Sequence, residues 1–313
     1  MRILKHNKLN GWSVIEMTMP LIQSPLCPAC EVPLLVIAFL KGIQQIRIGV
    51  CDTCGYMGYV DRPTKEWFDA FYEEKWDGEG QASAETLLNE FRHTQWKFRP
   101  KGTTFAMLAS IQGAVQDKSK PVLDIGCGFG SAMREAQELG YMNPVGIEKS
   151  NHRADVARRA FSYDIRQGAF EDLNLSDKAP YSVIWSHHVL EHAYDPQVFI
   201  AKCASLQEAG GFLITSVPNN LGEPTMGVIH YLPHIHSFTV TCLRRLLGKQ
   251  GYEVFDYSMT NKESLNLIAI KRPNKVGIIK TNGFAQRGAE KLDRKSTRLN
   301  SSHIQKSRMP SSA

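Results

Sequence analysis

Residues 121–130, PVLDIGCGFG, constrain the fold more than any other part of the chain. A short apolar run carries Asp124 and enters a loop with three glycines, Gly126, Gly128 and Gly130. Glycine lets the backbone turn sharply and come close to a ligand. The pattern predicts a strand, a tight loop and the start of a helix, which is the first unit of a doubly wound sheet.

From this loop onward, strand patterns alternate with helix patterns. Such alternation predicts a Rossmann-like, mostly parallel α/β sheet of seven strands with helices on both faces. No helix separates the last two strands, so we expect the final strand to be antiparallel. The predicted strands are Val122–Ile125, Val145–Glu148, Asp164–Gln167, Ser182–Trp185, Gly211–Val217, Tyr252–Tyr257 and Asn266–Lys271. The main predicted helices are Ser131–Leu139, Asn151–Phe161, Pro196–Gln207 and Val240–Lys249.

The second predicted strand ends at an acidic residue, Glu148, 18 residues after Gly130. A carboxylate at this position can accept hydrogen bonds from both hydroxyls of a ribose. The third strand leads to Phe170 and Glu171, where an adenine can lie against the aromatic ring. A dinucleotide site favours Gly-x-Gly-x-x-Gly, which is absent, as is a phosphate loop. The pattern therefore favours a nucleoside cofactor without phosphates over an ordinary sheet with a tight turn.

Four of the seven cysteines form two C-x2-C pairs with 20 residues between them, namely Cys27, Cys30, Cys51 and Cys54. The intervening runs Leu34–Leu40 and Ile43–Val50 predict a hairpin that joins the two pairs. Two such pairs place four thiolates tetrahedrally around Zn²⁺, and four thiolates leave no open position. We therefore predict a small β zinc ribbon with a structural metal.

A cluster of histidines follows the fourth predicted strand. Ligands of open parallel sheets bind beyond the carboxyl ends of the strands, which is where His187, His188, Glu191 and His192 should lie. In a helical turn, His188, Glu191 and His192 share one face. A histidine suits the role of general base, and Glu191 can orient His192.

Two alternatives to the general base stay open. Glu191 and His192 can serve only to brace the loop. A divalent metal can instead polarise the acceptor, with the ligands His188, Glu191, His192 and His236. The last of these belongs to a second histidine group, His230, His234 and His236, in a long loop of the kind that is often functional.

The segments LDIGCGFG, VIWSHHVLEHAYDP, GGFLITSVPN and HIHSFT together resemble the ubiquinone-methyltransferase-like branch of class I methyltransferases (methyltransferase domain 23 type), over about Val122 to Ile270. The run CDTCGYMGYVDRP with the aromatic helix after it resembles the N-terminal zinc ribbon fused to this branch. The resemblance implies an S-adenosylmethionine (SAM)-dependent methyltransferase (EC 2.1.1.-). It implies SAM binding by Asp124, Gly126, Cys127, Gly128, Gly130, Glu148, Phe170, Glu171, Ser186 and His187. Cys127 is expected to be a small buried residue and not a nucleophile.

The resemblance favours a small molecule or glycan as the methyl acceptor, on oxygen first and on a sugar carbon second. His192, Glu191 and His188 are the candidate catalytic residues. The aromatic helix Thr64–Trp76 can close over the site and present Tyr72, or it can simply pack the ribbon onto the sheet. An RNA methyltransferase with a zinc ribbon is the alternative function, and a non-catalytic binding protein is less compatible with the glycine loop.

Charge and composition bear on partners and compartment. We interpret residues 293–313 as the in-frame translation of a sequencing adapter; without their five basic residues and one acidic residue, the net charge falls from +6 to +2. That value does not favour a nucleic-acid partner. The longest apolar run, Leu34–Leu40, is too short for a membrane span, which needs about 20 residues. With no recognisable secretory signal, we expect a cytoplasmic protein.

The predicted organisation is a zinc ribbon (1–62), a helical linker or lid (63–117), a methyltransferase domain (118–275), a tail (276–292) and the adapter-derived segment (293–313). The oligomeric state is not predicted.

Overall fold

The computed structural model of the protein describes residues 2–7, 11–16, 20–40, 43–74, 89, 102–219 and 234–273. Predicted features elsewhere lie outside the described residues; these include His230, most of the linker between residues 75 and 101, and the segments 276–292 and 293–313. The predicted division into domains stays a prediction.

Short antiparallel strands make up the N-terminal part, in the order β1 (Arg2–Asn7), β2 (Gly11–Glu16), β3 (Leu21–Gln23), β4 (Leu35–Leu40), β5 (Ile43–Val50), β6 (Met57–Tyr59) and β7 (Asp61–Pro63). Strands β1 and β2 form a hairpin of their own. Strands β4 and β5 form the predicted hairpin, β6 pairs with β5, and β3 pairs with β7. We call residues 20–74 the N-terminal module.

Helix α1 (Lys65–Glu74) closes the N-terminal module and lies within the predicted helix Thr64–Trp76. The hydroxyl of Thr64 accepts a hydrogen bond from the backbone N–H of Trp67 and caps the first turn. Trp67 and Phe68 are buried against Ile46, Ile48 and Tyr59 of the ribbon strands. The apolar face of the helix therefore packs onto the ribbon.

The rest of the chain forms the α/β part, in the order α2 (Thr103–Ile111), β8 (Val122–Ile125), α3 (Ser131–Glu138), β9 (Pro144–Glu148), α4 (Asn151–Phe161), β10 (Asp164–Gln167), β11 (Val183–His187), α5 (Pro196–Ser205), β12 (Phe212–Pro218), β13 (His236–Ser237), α6 (Val240–Lys249), β14 (Tyr252–Asp256) and β15 (Ser264–Lys271). The predicted seven-stranded sheet is confirmed, with the order β10-β9-β8-β11-β12-β15-β14. Its first five strands are parallel, and β15 is antiparallel to both of its neighbours, as expected.

Alternation along the central strands explains the two apolar layers. Val122 and Val183 face one layer with α2, α3 and α4, while Leu123 and Ile184 face the other with α5 and α6. The cysteine-containing turns of the N-terminal module belong to the second layer. The module is therefore packed against the same face of the sheet as α6.

One strand of the α/β part belongs to the ribbon sheet. Strand β13 pairs with β6, with His236 opposite Gly58, so the ribbon sheet has the order β13-β6-β5-β4. The two parts of the chain thus share a sheet. Within the part of the chain that the structure describes, no helix is long and apolar enough to cross a bilayer.

Candidate active site

A cavity of about 490 Å³ opens beyond the carboxyl ends of β8, β9, β10 and β11, under helix α1. This position agrees with the expectation for an open parallel sheet. Of the predicted site residues, those on its wall are Gly126, Glu148, Phe170, Glu171, His187, His188 and His192. The other predicted residues do not line it, namely Asp124, Cys127, Gly128, Gly130, Ser186 and Glu191.

The glycine loop has the backbone conformation that requires glycine. Gly126, Gly128 and Gly130 have φ values of +74°, +55° and +83°, which side chains disfavour. A Cβ atom at Gly126 would also overlap the side chain of Val189. The loop folds back onto β9, because the N–H groups of Gly126 and Cys127 both donate to the carbonyl oxygen of Ile147.

Glu148 is held rigidly at the end of β9. Its Oε2 accepts a hydrogen bond from the N–H of Gly128 (2.9 Å) and its Oε1 accepts one from the N–H of Ser150 (2.8 Å). Glu148 also lines the cavity, where a carboxylate can accept hydrogen bonds from a ligand.

Asp124 lies behind the glycine loop and is buried. Its Oδ2 has no hydrogen-bond partner among the described residues. Burial raises the pKa of this carboxyl group to about 8, since a charged carboxylate is poorly solvated there. A buried oxygen of this kind can be satisfied by a cationic ligand.

The loop after β10 forms another part of the cavity wall. Phe170 packs against Phe199 with ring centroids 4.8 Å apart. The ammonium group of Lys202 on α5 donates to the carbonyl oxygens of Phe170 (2.6 Å) and Glu171 (3.0 Å), which fixes the loop. Burial raises the pKa of the Glu171 carboxyl group.

Strand β11 extends to His187, two residues beyond the predicted end at Trp185. Ser186 is consequently a buried strand residue whose hydroxyl contacts that of Thr215 at 3.3 Å. Burial lowers the pKa of His187 to about 4, so its imidazole is neutral near pH 7. Cys127 is buried, as expected, and burial raises the pKa of its thiol.

Three predicted catalytic residues come together beyond β11. Leu190–His192 forms a single 3-10 turn, and His188 precedes it with a left-handed φ of +54°. Oε1 of Glu191 lies 3.2 Å from Nδ1 of His188 and 3.8 Å from Nε2 of His192. Glu191 is only 1% exposed, and burial raises the pKa of its carboxyl group, while the hydrogen bond from His188 opposes this shift.

Helix α1 brings a tyrosine to the same place. The Tyr72 hydroxyl lies 2.7 Å from Nδ1 of His192. The Lys149 ammonium group lies 4.6 Å from the centroid of the Tyr72 ring and forms an ion pair with Asp69 (2.7 Å). The helix therefore packs onto the ribbon and also forms part of the cavity wall.

His234 also lies in this group, and its presence there was not predicted from the sequence. Its ring contacts that of His192 with centroids 4.6 Å apart, and burial lowers its pKa to about 4. Ligand atoms of Glu191, His192 and His234 lie within 4.8 Å of one another. The loop histidine named for the metal alternative, His236, is instead buried elsewhere, because Tyr56 and the Ala193 carbonyl occupy its two ring nitrogens.

The four predicted metal-binding cysteines also come together. The Sγ atoms of Cys27, Cys30, Cys51 and Cys54 lie within 4.8 Å of one another, and those of Cys27 and Cys54 are 3.6 Å apart. With Zn–S bonds of about 2.3 Å, tetrahedral geometry places sulfur atoms about 3.8 Å apart. The arrangement therefore fits a four-coordinate zinc ion.

Two side chains of helix α6 contact the cysteine group. Hydrogen bonds from the thiols of Cys242 and Cys54 hold the pKa of the Cys27 thiol far below its ordinary value. Nη1 of Arg245 lies 3.0 Å from Sγ of Cys30. The Cys242 thiol of α6 thus favours the thiolate form of Cys27, the form that binds a metal.

Comparisons with known proteins agree with this architecture. Residues 89–257 match the family described as methyltransferase domain. A ubiquinone biosynthesis O-methyltransferase from Maricaulis maris is 31% identical over 107 residues, covering 33% of this chain and 42% of the relative. That from Bordetella bronchiseptica is 27% identical over 165 residues, covering 51% of this chain and 62% of the relative. The chain thus spans less than two thirds of the length of these relatives.

Among solved structures, the magnesium protoporphyrin IX methyltransferase from Synechocystis PCC 6803 with bound SAH resembles the chain. The similarity has a TM-score of 0.46 and 19% sequence identity, and it covers 66% of this chain and 98% of the other.

Proposed function

This chain belongs to the methyltransferase-domain family, and we propose that it transfers a methyl group from SAM to a hydroxyl oxygen of a small molecule or glycan. The observation that carries the proposal is the contact of Tyr72 with His192 on the wall of a cavity that Gly126 and Glu148 also line. Glu191 lies behind His192. The relatives named above are O-methyltransferases, which supports oxygen as the acceptor atom.

The loop end of the cavity suits SAM. The ammonium group of the methionine part is a partner for the buried Oδ2 of Asp124, reached through water. Glu148 and Phe170 line the cavity, where the carboxylate can accept hydrogen bonds from the ribose hydroxyls and the ring can lie against the adenine. Glycine at position 126 lets the backbone come close to the ligand. This contact does not depend on a phosphate group, so it is compatible with SAM.

When bound, SAM would supply a methyl group on its sulfonium: the acceptor oxygen would bond to the methyl carbon in line as the carbon–sulfur bond breaks, with S-adenosylhomocysteine as the leaving group. The methyl group is already activated, so the protein must orient the acceptor and take its proton. Helix α1 forms part of the cavity wall and presents Tyr72 there.

The contacts around His192 suggest the path of the proton. The Glu191 carboxylate lies 3.8 Å from Nε2 of His192, and its negative charge favours the tautomer with the proton on that nitrogen. Nδ1 is then the basic nitrogen, and the Tyr72 hydroxyl donates to it. An acceptor hydroxyl that donates to Oη of Tyr72 can pass its proton through the phenol to Nδ1. Glu191 stabilises the imidazolium that results.

A divalent metal is the second candidate mechanism at this site. Glu191, His192 and His234 have the ligand types and mutual distances that a cation needs, and Oε2 of Glu191 lacks a hydrogen-bond partner among the described residues. In that mechanism the metal would be held by these three residues and would polarise the acceptor oxygen.

We further propose that the four-cysteine group holds a structural Zn²⁺. Four thiolates leave no coordination position for a substrate, so the metal would stabilise the module and take no part in the chemistry.

Calorimetry with SAM and NAD tests the proposed cofactor. SAM should bind and NAD should not, and Glu148→Ala should weaken SAM binding because it removes the ribose acceptors. Radiolabelled SAM is then offered with phenols, sugars and RNA, with counting of labelled product. Binding of NAD alone would overturn the whole proposal, and transfer to RNA alone would overturn the acceptor class.

A further inference from the structure

Three consecutive residues after Glu191 are each held by a group from the N-terminal module or from its partner strand β13. Tyr72 contacts the side chain of His192. Nη1 of Arg62 donates to the carbonyl oxygen of Tyr194 at 2.6 Å, and the guanidinium lies 4.3 Å from the centroid of the Tyr194 ring. Between them, the carbonyl oxygen of Ala193 accepts a hydrogen bond from His236. We call residues 190–194 the site turn.

The two hydrogen bonds of His236 agree with a single tautomer of its ring. A carbonyl oxygen only accepts, so the Nε2–H of His236 donates to Ala193 (2.9 Å). Nδ1 is then an acceptor, and the Tyr56 hydroxyl donates to it (2.5 Å). Burial lowers the pKa of His236 to about 3, which agrees with a permanently neutral ring. Both ring nitrogens are thus used in a single chain of hydrogen bonds.

On the side away from Ala193, this series of hydrogen bonds leads to the cysteine group. Tyr56 follows Cys54 by two residues, and its carbonyl oxygen accepts a hydrogen bond from the N–H of Cys51 (2.8 Å). The Thr239 hydroxyl, three residues after His236, donates to the carbonyl oxygen of Cys54 (2.5 Å). A Cβ at Gly58 would overlap the Tyr56 hydroxyl, so glycine there leaves room for the contact with His236.

We infer that His236 is a positioning residue that transmits the fold of the metal-binding module to the site turn, through Tyr56 on one side and Ala193 on the other. The inference rests on the proposed role of His192, which immediately precedes Ala193. When the cysteine group holds its metal, Tyr56 and His236 hold the Ala193 carbonyl, and the imidazole of His192 keeps its place between Tyr72 and Glu191. When the module loses its metal, the site turn loses this support while SAM-binding residues such as Glu148 keep theirs.

Backbone hydrogen exchange of the site turn, followed by mass spectrometry, tests the inference without need of a substrate. The backbone N–H groups of His192 and Ala193 donate to the carbonyls of Val189 and Leu190, so their exchange reports whether the turn is formed. Zinc-loaded protein is compared with zinc-stripped protein and with Tyr56→Phe, His236→Leu and His236→Gln. Lys249→Ala is the matched control, because it removes an exposed ion pair between α6 and Glu31 of the same module.

Zinc removal, His236→Leu and Tyr56→Phe should each speed exchange of the site turn at least about tenfold, with SAM affinity unchanged within about twofold. His236→Gln should come close to wild type, because its amide N–H can still reach the Ala193 carbonyl. If methyl transfer is detected, the variants that lose exchange protection should also have a lower kcat, while KM for SAM stays constant.

Exchange as slow as in the zinc-loaded wild type would overturn the inference if it is found in zinc-stripped protein, or in both His236→Leu and Tyr56→Phe. If His236→Leu does not fold, Tyr56→Phe and His236→Gln decide. A wild-type protein that transfers no methyl group counts against the proposed function, whereas the exchange data still decide the coupling.

Discussion

The phenolic oxygen of Tyr72 lies 2.7 Å from Nδ1 of His192, although 120 residues separate the two in the chain. Helix α1, which carries Tyr72, is tied to the sheet by ion pairs from Asp69 to Lys149 and from Lys65 to Asp172. A residue of the N-terminal module therefore completes the histidine and glutamate group that follows β11. The module is part of the candidate active site.

Tyr72→Phe should lower kcat by about 10-fold to 100-fold, because it removes the hydroxyl from the proposed proton path while keeping the ring. SAM affinity should stay unchanged, since the substitution keeps the ring that lines the cavity. Steady-state kinetics and calorimetry measure the two quantities. Tyr163→Phe is the matched control, because its hydroxyl bonds only Gln137 at the surface among the contacts described. Turnover of Tyr72→Phe within twofold of wild type would contradict the proposed path.

His192→Ala should lower kcat by about 10²–10⁴, the usual contribution of a general base. Cofactor affinity should barely change. His152→Ala, at a histidine that does not line the cavity, is the control. Near-normal turnover of His192→Ala with the true acceptor would mean that His192 only braces the loop.

A chelator distinguishes the two mechanisms at Glu191, His192 and His234. If His192 acts as a base, brief treatment that leaves the four-cysteine zinc in place should not change kcat. Metal analysis of the treated protein verifies that the zinc is retained. Loss of activity that returns on addition of Mg²⁺ or Mn²⁺ would instead support the metal mechanism.

Asp124→Asn should stabilise the cofactor-free protein at pH 8 and weaken SAM binding. The folded-state pKa of Asp124, about 8, exceeds the unfolded value of 3.8. Its folded state therefore holds a proton that the unfolded state has lost, and stability falls as pH rises from about 4 to about 8. Asparagine abolishes this loss, which we expect to amount to at least about 1.4 kcal/mol, the value of one pKa unit.

Denaturant titrations at pH 5 and pH 8 measure the effect of Asp124→Asn, with calorimetry for SAM. The advantage of the variant should shrink at the lower pH. A variant that is equally or less stable than wild type at pH 8 would show that Asp124 is not a strained, buried acid.

One equivalent of zinc should co-purify with the protein, and Cys51→Ser should lose it. Because metal binding and folding of such a site are coupled, the cysteine turns should unfold in this variant while the seven-stranded sheet persists. Metal analysis and circular dichroism provide the readouts, with Cys203→Ala, a buried cysteine outside the group, as the control. Absence of zinc from wild-type protein produced in zinc-replete medium would count against the metal site.

Much of the fold was predictable because its signals are local. The strand Val122–Ile125 and the helices Asn151–Phe161 and Val240–Lys249 have the predicted bounds. The strand is a short run that is buried throughout, and such runs and helical periodicity can be recognised from neighbouring residues alone. The end of β11 was placed two residues early. Ser186 and His187 are polar, and only the pairing with Thr215 and Ser216 of β12 shows that the strand continues.

The sequence by itself determined the sheet, the glycine loop with Glu148 beside it, and the spacing of the four cysteines, because each depends on residues that are close in the chain or on strand order. Only the tertiary structure decided that Tyr72 and His234 join His192, and that His236 faces Ala193 and Tyr56. Two neighbouring histidines, His234 and His236, look alike in sequence. His236 lies in β13, and the pairing of β13 with β6 carries it into the core, whereas His234 precedes the strand and lines the cavity, because only the residues that pair with the ribbon sheet are drawn away from the site.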